Sequence, residues 1–150
     1  MQSPLINVMS AAAVKAGKGL MRDFGEVDKL QISRKGTANF VTSADTRTEK
    51  LLKRELQAAR PDFGFLLEEE GEVRGKDAAA RWIIDPLDGT SNFIHAIPYF
   101  CISIALEAIG KDGKGEITAA VIFDPIHNEL FAAEKNKGAF LNNRRLSVSS

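Results

Sequence analysis

The sequence is poor in the residues that most often build redox and imidazole sites. It has one cysteine, two histidines and one tryptophan among 150 residues. A lone cysteine, Cys101, excludes a disulfide within the chain and fits a reducing compartment. His127 stands in a predicted turn, where a hydrogen-bonding surface role is favoured over a metal role. Trp82 is expected in the core, and His95, nearer the motif described below, is only slightly more informative.

An excess of one charge and long apolar runs are also lacking. Twenty basic residues balance twenty acidic ones, so no global field attracts nucleic acid or an anionic membrane. Apolar runs such as 101–109 fall far short of the ~20 residues that cross a bilayer. Residues 4–9 are too short an apolar run for a signal peptide. We therefore expect a cytoplasmic protein with no membrane partner and no direct nucleic-acid partner.

The composition is that of one ordinary globular domain, with 44% hydrophobic and 27% charged residues. Helical spacing predicts a first helix that begins at Ser3-Pro4 and closes at Gly25. A short strand at 30–33 and a polar loop at 35–45 follow. A second helix is predicted over 46–60, where Glu49 and Lys53 form a favourable i,i+4 pair.

The second half of the chain reads as a series of strands joined by turns. A strand at 63–67 leads to a charged loop at 71–80, which we expect to be mobile, and then to an apolar strand that ends in Asp85. A turn or short helix at 93–100 precedes the rest, which are predicted at 102–109, 117–123, 129–134, 139–141 and 146–148. Helices first and meandering strands later predict an α+β fold, with two N-terminal helices packed on a mostly antiparallel sheet.

Acidic side chains stand where predicted strands end. Glu68, Glu69 and Glu70 follow one strand, and Asp85 and Asp88 end another. Carboxylates suit a hard divalent cation, and the turn that follows Asp88 offers N–H groups to a phosphate. Two carboxylates that bridge two ions about 3.5–4 Å apart would make a two-metal phosphatase site.

Each of these features also has a simpler interpretation. Three adjacent glutamates are usually a solvated loop. Asp45, which precedes the predicted second helix, would be an ordinary N-cap. That the Leu87 carbonyl also faces an ion is a geometric hypothesis only.

The stretch Asp85-Pro86-Leu87-Asp88-Gly89-Thr90-Ser91-Asn92-Phe93 resembles the signature of the inositol monophosphatases, which are Mg²⁺-dependent, lithium-sensitive phosphatases. Segments 41–45, 65–69 and 131–141 resemble further segments of that family, in the same order. The resemblance covers essentially the whole chain. It implies the first half of the α/β/α/β/α sandwich of the sugar phosphatases, with 1–150 forming one N-terminal metal-binding domain.

The resemblance implies a site of two or three Mg²⁺ ions. Glu68, Asp85 and the Leu87 carbonyl would hold one ion, and Asp85 and Asp88 a second. Glu69 would orient water or a further ion. The reaction implied is direct hydrolysis of inositol monophosphate, a phosphate monoester, by a metal-activated water, without a covalent enzyme intermediate.

The resemblance also implies roles in catalysis and substrate binding. Asp45 and Thr90 would pair so that the Thr90 hydroxyl helps to deprotonate the attacking water, with Glu68 as the third catalytic residue. Lys35 would lie near the site as a positive neighbour. The substrate-binding positions implied are Glu68, Leu87, Asp88, Gly89 and Thr90, of which Gly89 and Thr90 would donate N–H groups to the phosphate.

The sequence departs from the family pattern in two respects. Leu67 stands where the family has glycine, and the Trp-Asp segment of the family's second half does not occur, since Trp82 is followed by Ile83. We therefore expect the N-terminal half of the family fold, with an incomplete active site. Homodimerisation is implied by the resemblance.

Two other functions stay open. One is a related phosphatase for fructose bisphosphate, a nucleotide bisphosphate or NADP. The other is a non-catalytic binding protein, since bacterial members of the family are linked to suppressor phenotypes and transcription complexes.

Overall fold

The computed structural model describes residues 2–30 and 34–149, which form three helices and eight strands. The helices are α1 (Pro4–Leu30), α2 (Arg34–Ala59) and α3 (Thr90–Ile94). The strands are β1 (Phe63–Leu67), β2 (Gly71–Val73), β3 (Asp77–Asp88), β4 (Cys101–Ile109), β5 (Gly115–Asp124), β6 (Glu129–Glu134), β7 (Gly138–Leu141) and β8 (Arg144–Arg145). Within the described ranges, no helix combines the length and the apolar character needed to cross a membrane.

All of these strands belong to one sheet, in the order β2-β1-β3-β4-β5-β6-β7-β8. β1 and β3 are parallel, and the other neighbouring pairs are antiparallel. From β3 onward, the strands follow one another in chain order. The predicted α+β class, with a mostly antiparallel sheet, is confirmed.

The two long helices cover one face of the sheet. α1 packs on β5, and α2 packs on β3. Ile102 and Ile104, on alternate positions of β4, are fully buried beneath the helices, as is Trp82 of β3. On the opposite face, the paired residues Ile122 and Phe131 remain 43% and 37% exposed. The hydrophobic core therefore lies between the helices and one side of the sheet.

The first helix is longer than the sequence predicts. We expected it to close at Gly25, but α1 continues to Leu30. Val27 is fully buried, so the apolar face of the helix extends for another turn. Gly25 is surrounded by open space, and its position does not require the helix to stop. The predicted strand is wrong at Leu30, and its other residues, 31–33, lie outside the described part of the chain.

The second helix also begins earlier than predicted. The polar loop expected over 35–45 is wrong, because α2 already starts at Arg34. Val41 and Ala44 are buried against the core, and this burial outweighs the modest helix propensity of their polar neighbours. The serine and threonine hydroxyls of this region donate to carbonyls four residues earlier, an arrangement compatible with a helix.

Two predictions about strands are also corrected. The expected mobile loop at 71–80 contains β2 and the beginning of β3, because β1 pairs antiparallel with β2 across the glutamate turn. The predicted strand at 146–148 is wrong, since β8 is Arg144–Arg145. Asn142 and Asn143 both adopt positive φ, as in a two-residue hairpin turn, and pairing therefore resumes immediately after them.

Candidate metal centre

Three segments meet at one end of the helix-covered sheet. Asp45 of α2 faces the turn that joins β1 to β2, which carries Glu68 and Glu69. One carboxylate oxygen of each of these three residues lies within 4.8 Å of the others. The structure thus brings together an acidic residue of a helix and two acidic residues of a strand end.

Asp85 joins this group from the end of β3. β1 and β3 are parallel, and Leu67 stands opposite Ile84 in the register. The next residues, Glu68 and Asp85, therefore emerge side by side, close enough for Asp85 to raise the pKa of Glu68. The structure thus places two of the predicted site residues, Glu68 and Asp85, next to each other on neighbouring strands.

Asp88 lies beyond an irregularity in the pairing of β3 with β4, between Asp85 and Asp88. Its side chain is exposed, and the Cys101 thiol donates to Asp88 Oδ2 at 3.8 Å. Burial raises the pKa of the Cys101 thiol to about 11, and the negative charges of Asp88 and Asp85 add to this effect. The thiolate is the reactive form, and the raised pKa favours the neutral thiol of Cys101.

Several negatively charged side chains lie close together at this site, and they contribute to raised pKa values of two carboxyl groups. Partial desolvation, together with the neighbouring Asp85 carboxyl and the negative charges of Asp45 and Glu69, raises the pKa of Glu68 to about 7. Burial also raises the pKa of Asp45 to about 6, together with the charges of Glu69, Asp85 and Glu49. Protons or a cation must therefore neutralise part of this group near neutral pH.

The residues present fit a divalent cation. Asp45 is 5% exposed, and its Oδ1 atom is buried without a hydrogen-bond partner. A buried carboxylate oxygen without a partner is destabilising, and a cation would supply what is missing. Oxygen donors around such an atom suit Mg²⁺ or Mn²⁺ rather than a soft metal.

The turn after β3 carries two more of the predicted site residues, Gly89 and Thr90. Gly89 has φ +98° and caps α3, and a Cβ atom there would lie 3.1 Å from the Tyr99 carbonyl oxygen. The Thr90 hydroxyl donates to the buried Leu87 carbonyl at 3.0 Å. The implied Asp45–Thr90 pair is therefore not made in this structure, because the Thr90 hydroxyl proton is directed elsewhere.

Two further expectations concern α2. Asp45 is not the N-cap of a helix, because it lies in the interior of α2. Lys35 belongs to the first turn of α2, but its side chain is not among those that the structure describes.

Sequence reasoning missed the role of Glu49. It assigned Glu49 to an i,i+4 pair with Lys53, but Lys53 contacts Glu70 at 2.6 Å. Glu49 is 4% exposed and accepts hydrogen bonds from the backbone N–H groups of Glu69 and Glu70. The one signal in the sequence was its spacing of four residues from Asp45, which places both on one face of the helix.

The fold and the group of carboxylates define an α+β protein with a candidate site for a divalent cation. The profile described as "Inositol monophosphatase family" matches residues 1–150. The chain belongs to the inositol monophosphatase family.

Similar proteins carry two kinds of name. The chain is 54% identical over 149 residues to the "Inositol-1-monophosphatase" of Rhizobium meliloti, covering 99% of this chain and 54% of that protein. It is 39% identical over 147 residues to the "Nus factor SuhB" of Escherichia coli K12, covering 98% and 53%. The chain thus spans about half the length of the curated relatives it matches.

Solved structures show the same fold. The extragenic suppressor protein suhB of Bartonella henselae superposes with a TM-score of 0.84 at 49% identity, covering 99% of this chain and 55% of that one. The inositol monophosphatase of Anabaena superposes with a TM-score of 0.78 at 33% identity, covering 97% and 49%.

Proposed function

We propose that this chain supplies most of the active centre of a Mg²⁺-dependent phosphatase of inositol monophosphate type. The observation that carries the proposal is the buried, unpartnered Asp45 oxygen among the carboxylates of Glu68, Glu69 and Asp85. Membership of the family and the names of the most similar relatives support the same reaction class.

In this proposal, Glu68, Asp85, Asp88 and the Leu87 carbonyl hold the divalent cations. When bound, such cations neutralise the phosphate, lower the pKa of a water molecule and stabilise the leaving oxygen. The Leu87 carbonyl accepts from the Thr90 hydroxyl at 3.0 Å and keeps a second lone pair for a cation. The resemblance implies a further carboxylate for the second ion, from a Trp-Asp segment that does not occur in residues 1–150.

In the same proposal, other groups would accept the proton and bind the phosphate. Asp45 would accept a proton through the Thr90 hydroxyl once that hydroxyl rotates away from the Leu87 carbonyl, and the buried position of Asp45 keeps bulk water from competing for that role. The backbone N–H groups of Gly89 and Thr90 would donate to phosphate oxygens, because the first N–H groups of a helix have no acceptor within it. Glu69 would orient water or a further ion.

A second candidate is a binding function. Relatives named "Nus factor SuhB" match 97–100% of this chain at 38–42% identity. In that case, the carboxylates could bind a cation without turnover. The related substrates, fructose bisphosphate, a nucleotide bisphosphate and NADP, remain alternatives within the phosphatase proposal, as do a homodimer and a cytoplasmic location.

Two measurements on the 150-residue chain test the proposal. We expect Mn²⁺ to bind weakly in a calorimetric titration, and we expect little phosphate release from inositol 1-phosphate with Mg²⁺, since one metal ligand of the family is missing. Robust turnover would overturn the expectation of an incomplete centre. A chain that binds no Mn²⁺ at millimolar concentration would overturn the metal site itself.

A further inference from the structure

We propose that Glu49 is a positioning residue, which holds the backbone of the acidic turn and thereby sets where the Glu68 and Glu69 carboxylates stand. The functional part of this inference rests on the proposed metal site. Glu49 is not one of the ligands in that proposal, and each of its two oxygens accepts a hydrogen bond from the backbone of the turn.

The contacts are bidentate and buried. Glu49 Oε2 accepts from the N–H of Glu69 at 2.9 Å, and Glu49 Oε1 accepts from the N–H of Glu70 at 3.1 Å. Hydrogen bonds from N–H groups to a carboxylate are stronger than those between neutral groups. With 4% of Glu49 exposed, water competes little for either oxygen. Two successive backbone N–H groups are thus fixed to one side chain of α2.

Helix α2 contacts the acidic turn through one side chain from each of three successive helical turns. Asp45, Glu49 and Lys53 follow at intervals of four residues, which places them along one face. Asp45 lies against the Glu69 carboxylate, Glu49 holds the backbone, and Lys53 binds the Glu70 carboxylate at 2.6 and 2.7 Å. Of the three, only Glu49 acts on the main chain, so it determines the path of the turn rather than the position of one side chain.

A carboxylate is needed at this position even though it adds negative charge to an acidic site. A buried charge is tolerated when hydrogen bonds satisfy it, and here two N–H donors do so. A glutamine has one acceptor oxygen, and its NH₂ group would face the second N–H donor. An aspartate keeps the charge but is shorter by one methylene. These two substitutions therefore separate geometry from charge.

The test compares Glu49→Gln and Glu49→Asp with Glu70→Gln, a matched loss of charge in the same turn. Mn²⁺ affinity is measured by calorimetry, and exchange of the Glu69 and Glu70 amide protons by NMR. We expect both Glu49 variants to lose about tenfold or more in Mn²⁺ affinity, as is typical for residues that orient ligands. We expect Glu70→Gln to lose less than about threefold. Exchange of both amides should accelerate at least tenfold in Glu49→Gln, while amides of β4 stay unchanged.

Specific results would overturn the inference. An affinity of Glu49→Asp equal to that of the wild type would show that Glu49 acts through its charge alone. Unchanged exchange of the Glu69 and Glu70 amides in Glu49→Gln would show that Glu49 does not hold the turn. Absence of Mn²⁺ binding by the wild type would instead contradict the proposed function, and the exchange rates would still decide whether the turn depends on Glu49.

Discussion

The helix side of the candidate centre differs from its strand-end side. On α2, Asp45 and Glu49 are 5% and 4% exposed, and both are fixed by the packing of the helix. At the strand ends, Glu68, Glu69 and Asp88 are exposed. One side of the site is thus built into the core, and the other side is open to solvent.

The two sides of the site meet different requirements, which are fixed positions for the carboxylates and access for a ligand. Buried carboxylates have fixed positions, but their desolvation destabilises the fold unless a partner is present. Exposed carboxylates are less costly and leave room for a ligand to enter. A cation between the two sides would lie next to buried carboxylates with fixed positions and next to exposed carboxylates that solvent can reach.

A substitution of Asp85 should have the largest effect on the strand-end side of the site. We expect Asp85→Asn to lower Mn²⁺ affinity about 100-fold, which corresponds to about 2.7 kcal/mol, because Asp85 is assigned to both ions. Calorimetric titration measures the change. Asp77→Asn is the matched control, since Asp77 begins the same strand and its carboxylate accepts from the Ala79 N–H. Full Mn²⁺ affinity in Asp85→Asn would remove Asp85 from the site.

The helix side should respond in two opposite ways. Asp45→Asn is expected to lower Mn²⁺ affinity about tenfold, or about 1.4 kcal/mol, because Asp45 is not an assigned ligand but its negative charge lies beside the Glu68 and Glu69 carboxylates. Without metal at pH 8, it should raise the free energy of unfolding by about 1 to 3 kcal/mol, because it removes a buried negative charge. Urea unfolding in EDTA measures the second effect. A less stable variant would mean that Asp45 makes favourable contacts in the metal-free protein.

The pH dependence of stability follows from the same two carboxyl groups. Asp45 and Glu68 have ordinary pKa values of 3.8 and 4.5, which rise to about 6 and about 7 in the folded chain. The folded state therefore binds more protons than the unfolded state, and these groups reduce stability as pH rises from about 4 to about 7. In EDTA, the slope over this window should be shallower for Asp45→Asn than for the wild type. Equal slopes would contradict the raised pKa of Asp45.

The smallest effect is expected at the turn after β3. Gly89→Ala introduces a Cβ at φ +98° with a backbone oxygen 3.1 Å away. Gly113→Ala is the control, because Gly113 has φ +77° with nothing within 4 Å. We expect Gly113→Ala to destabilise by about 1 kcal/mol and Gly89→Ala by about 1 kcal/mol more, measured by urea unfolding. Equal losses would mean that the Tyr99 carbonyl moves aside freely.

The strand-end side could be predicted from the sequence. Glu68 and Asp85 each follow an apolar run, and the carboxyl ends of parallel strands meet at one edge of a sheet. The order of the strands from β3 onward was also accessible, because the apolar segments and the turns between them mark a meander, whereas β2 and the parallel pairing of β1 with β3 were not predicted. The apolar segments and turns are local patterns, and the structure preserves them.

The helix side could be predicted only in part. The sequence predicts Asp45 only as the N-cap that precedes a helix, because the polar residues before it do not indicate the helix that the burial of Val41 and Ala44 stabilises. Glu49 was missed because its partners are backbone groups twenty residues away. No side-chain pattern in the sequence reports such a contact.

The open face of the sheet also governs how the chain behaves in solution. Ile122 and Phe131 lie there in contact with water, while the chain has a formal net charge of zero at pH 7. Proteins without net charge repel one another weakly, and exposed apolar side chains then favour association. Colloidal stability should therefore be lowest near neutral pH and should improve at pH 9, which light scattering would measure. Metal titrations near pH 7 belong at low protein concentration.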